Sequence, residues 1–266
     1  MRHPHPKSTG VLIAVASIAL AGCGGSAEVS AGPGSAERSG DSRAHAFPLG
    51  DEPVQLDPAD FSTDIDNPYW PMRVGNRWVY EETDATGNRG QVVVEVTDRT
   101  KKIANGITAR VVRDTATEDG VPVEITDDWY AQDSTGTIWY LGEYVTNYED
   151  GKPVDHDGSF EAGVDGALPG VIMPAQPRPG MSYRQEYYKG EAEDNGAIIT
   201  VDQEQVEVPF GFFKNVLMTR DLSATEPKVQ ELKFYVKGVG PLLSMHTDGD
   251  GERAELVEFT DATARD

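Results

Sequence analysis

The sequence predicts an all-β fold, with a single domain at residues 51–266 built from about 11–12 antiparallel strands in a meandering curved sheet or half-barrel. Segments rich in Val, Ile, Thr, Tyr and Trp alternate apolar with polar residues at a period of two. Short runs of Gly, Asn and Asp separate these segments, which is typical of hairpin turns. No amphipathic helix of normal length is expected, and only short turns are predicted near Asp60 and at 210–215.

The first half of the domain reads as a series of hairpins. Asn105-Gly106 is a strong hairpin-turn signal, and a further strand should follow the turn at Asp119-Gly120. Residues 144–149 either extend the strand before them or form one of their own. The expected strands of this half are 77–81, 91–96, 107–115, 125–132 and 137–143.

The second half repeats the pattern after an interruption. Residues 160–180 contain four glycines and four prolines, so neither a helix nor a strand ladder is expected to persist there. A long ordered loop across one face or end of the sheet is the first interpretation, and a linker between two domains is the alternative. The later strands are predicted at 182–188, 197–208, 216–221, 228–236, 240–246 and 254–259.

The N-terminus has the pattern of an export signal. Arg2 and Lys7 precede an apolar run over 11–21 that is too short to span a membrane. Leu20-Ala21-Gly22-Cys23, which ends at the chain's one cysteine, resembles the lipobox of bacterial lipoproteins. The resemblance implies a signal peptide at 1–22, a diacylglyceryl group on the Cys23 sulfur and acylation (palmitate) of the new amine. An ordinary cleaved signal followed by an incidental cysteine is the alternative.

The resemblance also implies a location, namely the outer, extracytoplasmic face of the cell membrane, with the lipid on Cys23 as the contact with the bilayer. Residues 23–50 are rich in Gly, Ser and Ala and are expected to form a flexible tether with a mean reach of roughly 25–30 Å. Once Cys23 carries lipid, no cysteine remains for disulfides, thiolate metal sites or nucleophilic catalysis.

The charge of the domain limits its partners. Residues 51–266 hold 19 of the 23 Lys and Arg and 42 of the 45 Asp and Glu, which gives a formal charge of −23. Such a surface repels nucleic acid and anionic lipid headgroups, so no nucleic-acid partner is expected. The need to keep an exported domain in solution explains the same charge. The charge is therefore only weak evidence for a cationic partner.

Three segments of the domain resemble a broad group of secreted, mostly uncharacterised bacterial β-proteins. A Tyr-x-Pro…Gly…Trp-x-Tyr segment lies at 69–80, a Val-Pro-x-Gly-x-Phe segment begins at Val208, and a Tyr-x-x-Gly-Val-Gly segment lies at 235–240. Met72, where Leu is usual, and the Gly/Pro-rich insertion before Gly180 depart from the pattern. The resemblance implies a meandering antiparallel sheet or a curved half-barrel like those of lipoprotein carriers, and it supplies no catalytic residues that could be transferred.

Motifs for enzymatic or metal chemistry are not recognisable, so no catalytic residue, cofactor or metal is predicted. His156 and His246 are the only histidines of the domain and lack the paired spacing of a zinc site. Residues 248–259 depart from a calcium loop, with Arg253 at its sixth position and Phe259 at its twelfth. The abundant carboxylates leave a carboxylate-based enzyme acting on glycan open as an alternative.

Aromatic side chains give the one candidate ligand site. If the sheet is curved and open, its inner rings could line an apolar groove, although packing in a closed core explains the same residues. The sequence therefore favours a non-enzymatic binding or structural module of the envelope, whose partner is an envelope protein or an apolar small molecule. A carrier of a lipid or other apolar ligand is the second hypothesis. The candidate groove residues are Trp78, Trp129, Trp139, Tyr187, Phe212 and Phe234.

Overall fold

A computed structural model describes residues 47–225, 227, 230–247 and 251–264. This part of the chain forms one open, curved sheet of 15 antiparallel strands, which confirms the predicted all-β class. Two single-turn 3-10 helices, Pro58–Asp60 and Ala262–Ala264, are the helical elements described. Within the described ranges, no helix is long and apolar enough to cross a membrane. The predicted signal peptide, Cys23 and most of the predicted tether lie outside these ranges.

Most strands are long and are joined by tight turns. Twelve of the 15 make a continuous path of neighbours, and β1, β8 and β9 pair beside this path. The strands are β1 Phe61–Ser62, β2 Arg77–Thr83, β3 Arg89–Lys102, β4 Thr108–Glu118, β5 Val121–Asp133, β6 Ile138–Glu149, β7 Lys152–Asp155, β8 Phe160–Glu161, β9 Gly170–Met173, β10 Ser182–Tyr188, β11 Ala192–Val208, β12 Gly211–Ser223, β13 Gln230–Val236, β14 Gly240–His246 and β15 Arg253–Thr260.

The topology is a meander that joins two runs of consecutive strands. One run is β10 to β15 and the other is β2 to β7, and they meet where β15 pairs with β2. Trp78 of β2 lies opposite Phe259 of β15, and their rings stack with centroids 5.4 Å apart. Within each run, strands that follow one another in sequence pair with one another, as short hairpin connections require.

The predicted hairpins of the first half are present. Gly106 lies in the turn between β3 and β4. At the next turn, Asp119 and Gly120 both have positive φ angles, 50° and 77°, which a two-residue turn of the type I′ class demands. Residues 144–149 extend β6 rather than forming a separate strand.

The Gly/Pro-rich segment at 160–180 is more regular than expected. It contains β8 and β9, and both pair with β6. The expectation that no ladder persists there was therefore wrong for these short stretches, where Val171, Ile172 and Met173 of β9 are buried. Burial of this apolar run outweighs the turn-forming composition around it.

The same segment also contacts β10, which lies at the opposite end of the strand order. The amide of Leu168 donates a hydrogen bond of 2.8 Å to the carbonyl of Tyr187 in β10. A Cβ atom on Gly170 would lie 1.7 Å from the carbonyl oxygen of Gln185, so only glycine permits this backbone approach. The segment thus packs between the two ends of the sheet.

Three further expectations changed in detail. The four extra elements β1, β7, β8 and β9 are two to four residues long, too short for period-two alternation to reveal. Residues 211–215, expected within a short turn, belong to β12, whereas the turn predicted near Asp60 is the 3-10 helix there. Residues 47–50, assigned to the tether, contact the sheet, since Phe47 packs edge-on against Tyr183 at 6.2 Å.

Candidate functional site

The interior of the curved sheet is lined by large rings. Period-two alternation places them on one face, as with Trp78 and Tyr80 of β2. Their hydroxyl and indole groups find partners nearby, because Trp78 Nε1 donates to Val239 O at 2.8 Å and Tyr80 Oη donates to Pro241 O at 3.0 Å. The bulky rings that are almost completely shielded from solvent are Trp78, Tyr80, Tyr130, Tyr140, Tyr183 and Tyr235.

Trp70 enters this interior from the segment before β2. Its ring lies 5.8 Å from that of Tyr130 and 6.0 Å from that of Tyr235, so it bridges strands from the two halves of the sheet. Two small voids border Trp70 and Tyr80. One has room for about one water-sized group and the other for none.

Five carboxyl groups lie beside these rings, and we refer to Glu82, Asp114, Glu124, Asp128 and Glu143 as the carboxyl cluster. They come from four strands, β2, β4, β5 and β6. Asp114, Asp128 and Glu143 are at most 2% exposed, Glu82 is 8% exposed and Glu124 is partly buried. A concentration of buried carboxyl groups is unusual, because each ionised group loses its hydration.

Strand register brings the members of the carboxyl cluster together. Asp128 lies directly opposite Glu143 across the β5–β6 ladder. Asp114 lies opposite Thr126, which is two residues from Asp128 and on the same face of β5. Facing carboxylates repel one another, so this register favours sharing protons over full ionisation.

Only some oxygens of the carboxyl cluster accept a hydrogen bond. Tyr140 Oη donates to Asp128 Oδ1 at 2.8 Å, and Thr126 Oγ1 donates to Glu124 Oε1 at 2.9 Å. By contrast, Asp114 Oδ1, Glu82 Oε1 and Glu143 Oε2 have no hydrogen-bond partner. These buried oxygens are more stable protonated or beside a cation than as bare anions.

Burial is the main cause of the altered acidity in the cluster. It raises the pKa of Glu82 to about 8 and those of Glu124 and Asp128 to about 7. Burial, reinforced by the charge of Asp128, also raises the pKa of Asp114 and that of Glu143 well above the usual carboxyl value. The carboxyl cluster therefore holds protons near neutral pH that exposed carboxyl groups would have lost.

A second set of charged side chains in the interior includes a cation. Lys233 Nζ lies 2.9 Å from Asp221 Oδ2 and 3.0 Å from Glu231 Oε2, and Ser244 Oγ donates to Glu231 Oε1. Burial opposes the charge on Lys233, but the attraction of Glu231 and Asp221 outweighs it and keeps the pKa of Lys233 well above its usual value. Lys233 thus offsets part of the negative charge of this triad, whereas the carboxyl cluster consists of acidic groups alone.

Arg184 of β10 binds carbonyl oxygens from two other segments. Its Nε and Nη2 donate to Pro169 O at 3.1 and 2.8 Å, and its Nη1 donates to Gly50 O and Glu52 O, both at 2.7 Å. The fully buried guanidinium thus ties the N-terminal segment and the Gly/Pro-rich segment to β10.

The histidines occupy separate places. His156 is exposed, and its Nδ1 lies 2.7 Å from Val145 O while Tyr144 Oη lies 3.0 Å from its Nε2. His246 lies beside Glu252, with Nδ1 and Oε2 3.1 Å apart. No group of three or more His, Asp or Glu side chains in the described ranges is placed to hold a metal ion.

Three of the six predicted groove residues are buried tryptophans in different surroundings. Trp78 faces the interior void described above. Trp129 packs under Lys101, whose Nζ lies 4.5 Å from the ring centroid. Trp139 donates from Nε1 to Asp133 Oδ2 at 2.9 Å. Trp129 and Trp139 alternate with the inner residues Tyr130 and Tyr140 on their strands and so lie on the other face of the sheet.

The other three groove residues are more exposed and lie apart. Tyr187 is partly buried, Phe212 is 56% exposed near the β11–β12 turn, and Phe234 alternates with the inner Lys233 and Tyr235 on β13. Among the ring contacts of the described residues, none joins two of the six. The common groove stays a prediction, and the structure gathers the carboxyl cluster and Trp70 instead.

Comparison with known proteins adds little. No family model matches the chain, and no curated protein matches it. A crystal structure of a "putative lipoprotein" from Parabacteroides distasonis aligns with a TM-score of 0.40 and 14% identity, over 73% of this chain and 100% of the other. Similarity at this level does not establish a shared fold or function.

Proposed function

We propose that this chain is a membrane-anchored extracytoplasmic lipoprotein whose all-β domain acts as a non-enzymatic binding or structural module of the cell envelope. The lipobox-like Leu20-Ala21-Gly22-Cys23 supports the anchor. The acidic domain, with a formal charge of −23 over residues 51–266, has no attraction to anionic lipid, so the lipid on Cys23 supplies the membrane affinity.

The filled interior is the observation that favours a module over a carrier. Among the described residues, six shielded rings and Trp70 pack into the interior, and the two voids that border Trp70 admit at most about one water-sized group. A pocket for a small molecule is roughly 300 Å³ or larger. Binding to a partner would therefore use the outer surface of the domain.

The placement of the carboxyl cluster favours a non-enzymatic role. Asp114 and Asp128 are each 2% exposed, and Trp70 lines the same void as they do. A general acid must come within hydrogen-bond reach of the atom it protonates. Glycan hydrolysis at this cluster would require the rings around it to move away.

The anchor is tested by Cys23→Ser. We expect the wild-type chain in the membrane fraction after a high-salt wash, because acyl chains are not released by salt. The variant should appear in the medium or accumulate unprocessed. A processed Cys23→Ser chain that stays in the membrane fraction after the salt wash would refute the anchor.

The module hypothesis is tested by native mass spectrometry of the full chain purified in detergent from its host. We expect the mass of the lipidated chain with no further ligand, and no shift when lipids are added. A stoichiometric lipid beyond the covalent anchor would support the carrier instead. Trp70→Ala offers a comparison, since removing this ring opens space in the interior.

A further inference from the structure

We propose that the void beside Asp114 and Asp128 is a binding site for a small monovalent cation of the ammonium class. The site goes beyond the proposed function, because it concerns the interior of the domain and does not depend on lipid at Cys23. Its wall consists of two carboxyl groups, four aromatic rings and two valines. The lining residues are Trp70, Trp78, Tyr80, Val94, Val112, Asp114, Asp128 and Tyr130.

A carboxyl group that lines this void carries an unpartnered oxygen. Asp114 is 2% exposed, lines the void, and its Oδ1 accepts no hydrogen bond. The largest electrostatic influences on Asp114 come from Asp128, Glu124 and Glu82, all of which are carboxyl groups. A positive charge in the void would supply the compensation that these neighbours do not.

The second carboxyl group of the site, that of Asp128, is held in place by a hydrogen bond to one of its oxygens. Asp128 Oδ1 accepts the Tyr140 hydroxyl at 2.8 Å, and this bond fixes the carboxyl group beside the void. Tyr140 in turn stacks on Tyr130, with centroids 4.9 Å apart. Two carboxyl groups with a shared proton carry one net negative charge, which a monovalent ion balances.

The rings suit a cation of this kind. The indole N–H of Trp78 already donates a hydrogen bond to the carbonyl oxygen of Val239, and the hydroxyl of Tyr80 donates one to the carbonyl oxygen of Pro241. These two side chains therefore offer mainly their rings to the void, and the faces of aromatic rings attract cations. Ammonium has the size of a water molecule, which matches the void, and its N–H groups can donate to Asp114 and Asp128.

The size of the site excludes larger cations. A quaternary ammonium ion exceeds a void that admits about one water-sized group. Tetramethylammonium chloride therefore serves as the control salt, with the same charge and ionic strength as ammonium chloride. Binding to the folded state alone raises the melting temperature in proportion to the logarithm of ligand excess.

The test is the melting temperature of the full chain in detergent at pH 8, in ammonium chloride against tetramethylammonium chloride. We expect ammonium to raise it by about 3 °C or more, with an increase that follows the logarithm of the ammonium concentration. Asp114→Asn and Asp128→Asn should each abolish the difference between the two salts. Glu149→Gln, which changes an exposed carboxyl group at the end of β6 that does not line the void, should retain it.

Equal melting temperatures of the wild-type chain in the two salts would overturn the proposal and leave the void to water. So would an ammonium effect that persists in both Asp114→Asn and Asp128→Asn. Two variants are used so that the test does not depend on the folding of either one. The cation site does not depend on the lipid at Cys23. A failure of the anchor test with Cys23→Ser and a failure of this test can therefore be told apart.

Discussion

Asp128 and Glu143 face each other directly across the β5–β6 ladder, each at most 2% exposed to solvent. Tyr140 donates to Asp128 at 2.8 Å, but Glu143 Oε2 has no hydrogen-bond partner. Two like charges opposite one another in a sheet destabilise it. The sheet is therefore most stable when this pair keeps at least one proton, and its stability must depend on pH.

The first prediction is that the domain loses stability as pH rises through neutrality. In the folded state the pKa of Glu82 is about 8 and those of Glu124 and Asp128 are about 7, against about 4 for unfolded carboxyl groups. The folded chain thus binds more protons than the unfolded chain between about pH 4 and 8, and the free energy of unfolding falls with pH there. We expect the melting temperature to drop by at least about 5 °C between pH 5 and 8.5.

General repulsion among surface acids is the competing explanation, and salt distinguishes the two. About 1 M sodium chloride shortens the screening length to about 3 Å and removes surface effects, but it leaves the buried groups unscreened. The pH dependence should therefore persist in high salt. A melting temperature that is flat or increases from pH 5 to 8.5 in high salt is the contradictory result.

The second prediction concerns Glu143→Gln. The amide keeps the shape of the side chain but cannot ionise opposite Asp128, so the variant should melt above the wild-type chain at pH 8.5 and within about 2 °C of it at pH 5. Glu149→Gln, at the exposed end of the same strand, is the matched control and should change little at either pH. Destabilisation by Glu143→Gln at pH 8.5 would count against a repulsive pair.

The third prediction compares Lys233, in the middle of β13, with Lys237, the residue after this strand. Lys233→Met leaves Asp221 and Glu231 buried without their cation, and we expect a loss of about 3–5 kcal/mol in the free energy of unfolding. Lys237→Met removes an exposed pair with Asp202 and should cost about 1 kcal/mol or less. Urea unfolding measures both, and equal losses for the two variants would argue against the buried triad.

The fourth prediction is local to Arg184. Arg184→Met removes four hydrogen bonds to carbonyl oxygens of Gly50, Glu52 and Pro169, so residues 47–52 and 160–180 should exchange amide hydrogens faster than the rest of the sheet. Hydrogen exchange with mass spectrometry measures this directly. Arg178→Met, at an exposed position in the same Gly/Pro-rich segment, is the control. If amide protection at residues 47–52 is the same in Arg184→Met as in the wild-type chain, the Arg184 hydrogen bonds do not hold this segment in place.

The sequence sufficed for the fold class because period-two alternation and turn chemistry are local signals. Asn105-Gly106 and Asp119-Gly120 form turns where they were predicted. The short strands β8 and β9 were not foreseen, because their pairing with β6 depends on contacts distant in sequence. Burial of Val171 to Met173 decides that segment, and burial is not a local property.

The candidate site was harder to foresee for a related reason. Glu124, Thr126, Asp128 and Tyr130 alternate along one face of β5, and this pattern is visible in the sequence. A strand with polar residues on one face normally turns that face toward solvent, and carboxylates are so abundant in this chain that the sequence singles out no pair of them. Only the curvature of the sheet and the position of Trp70 place them inside.

The most direct test of the central claim, a lipid-anchored envelope module, is the intact mass of the mature chain extracted from its host membrane. We expect a chain that begins at Cys23 and carries a diacylglyceryl group, with or without an acyl chain on its amine. The matching peptide mass should place every added group on residue 23. An unmodified mature chain recovered from the medium, beginning at any other residue, would contradict the claim.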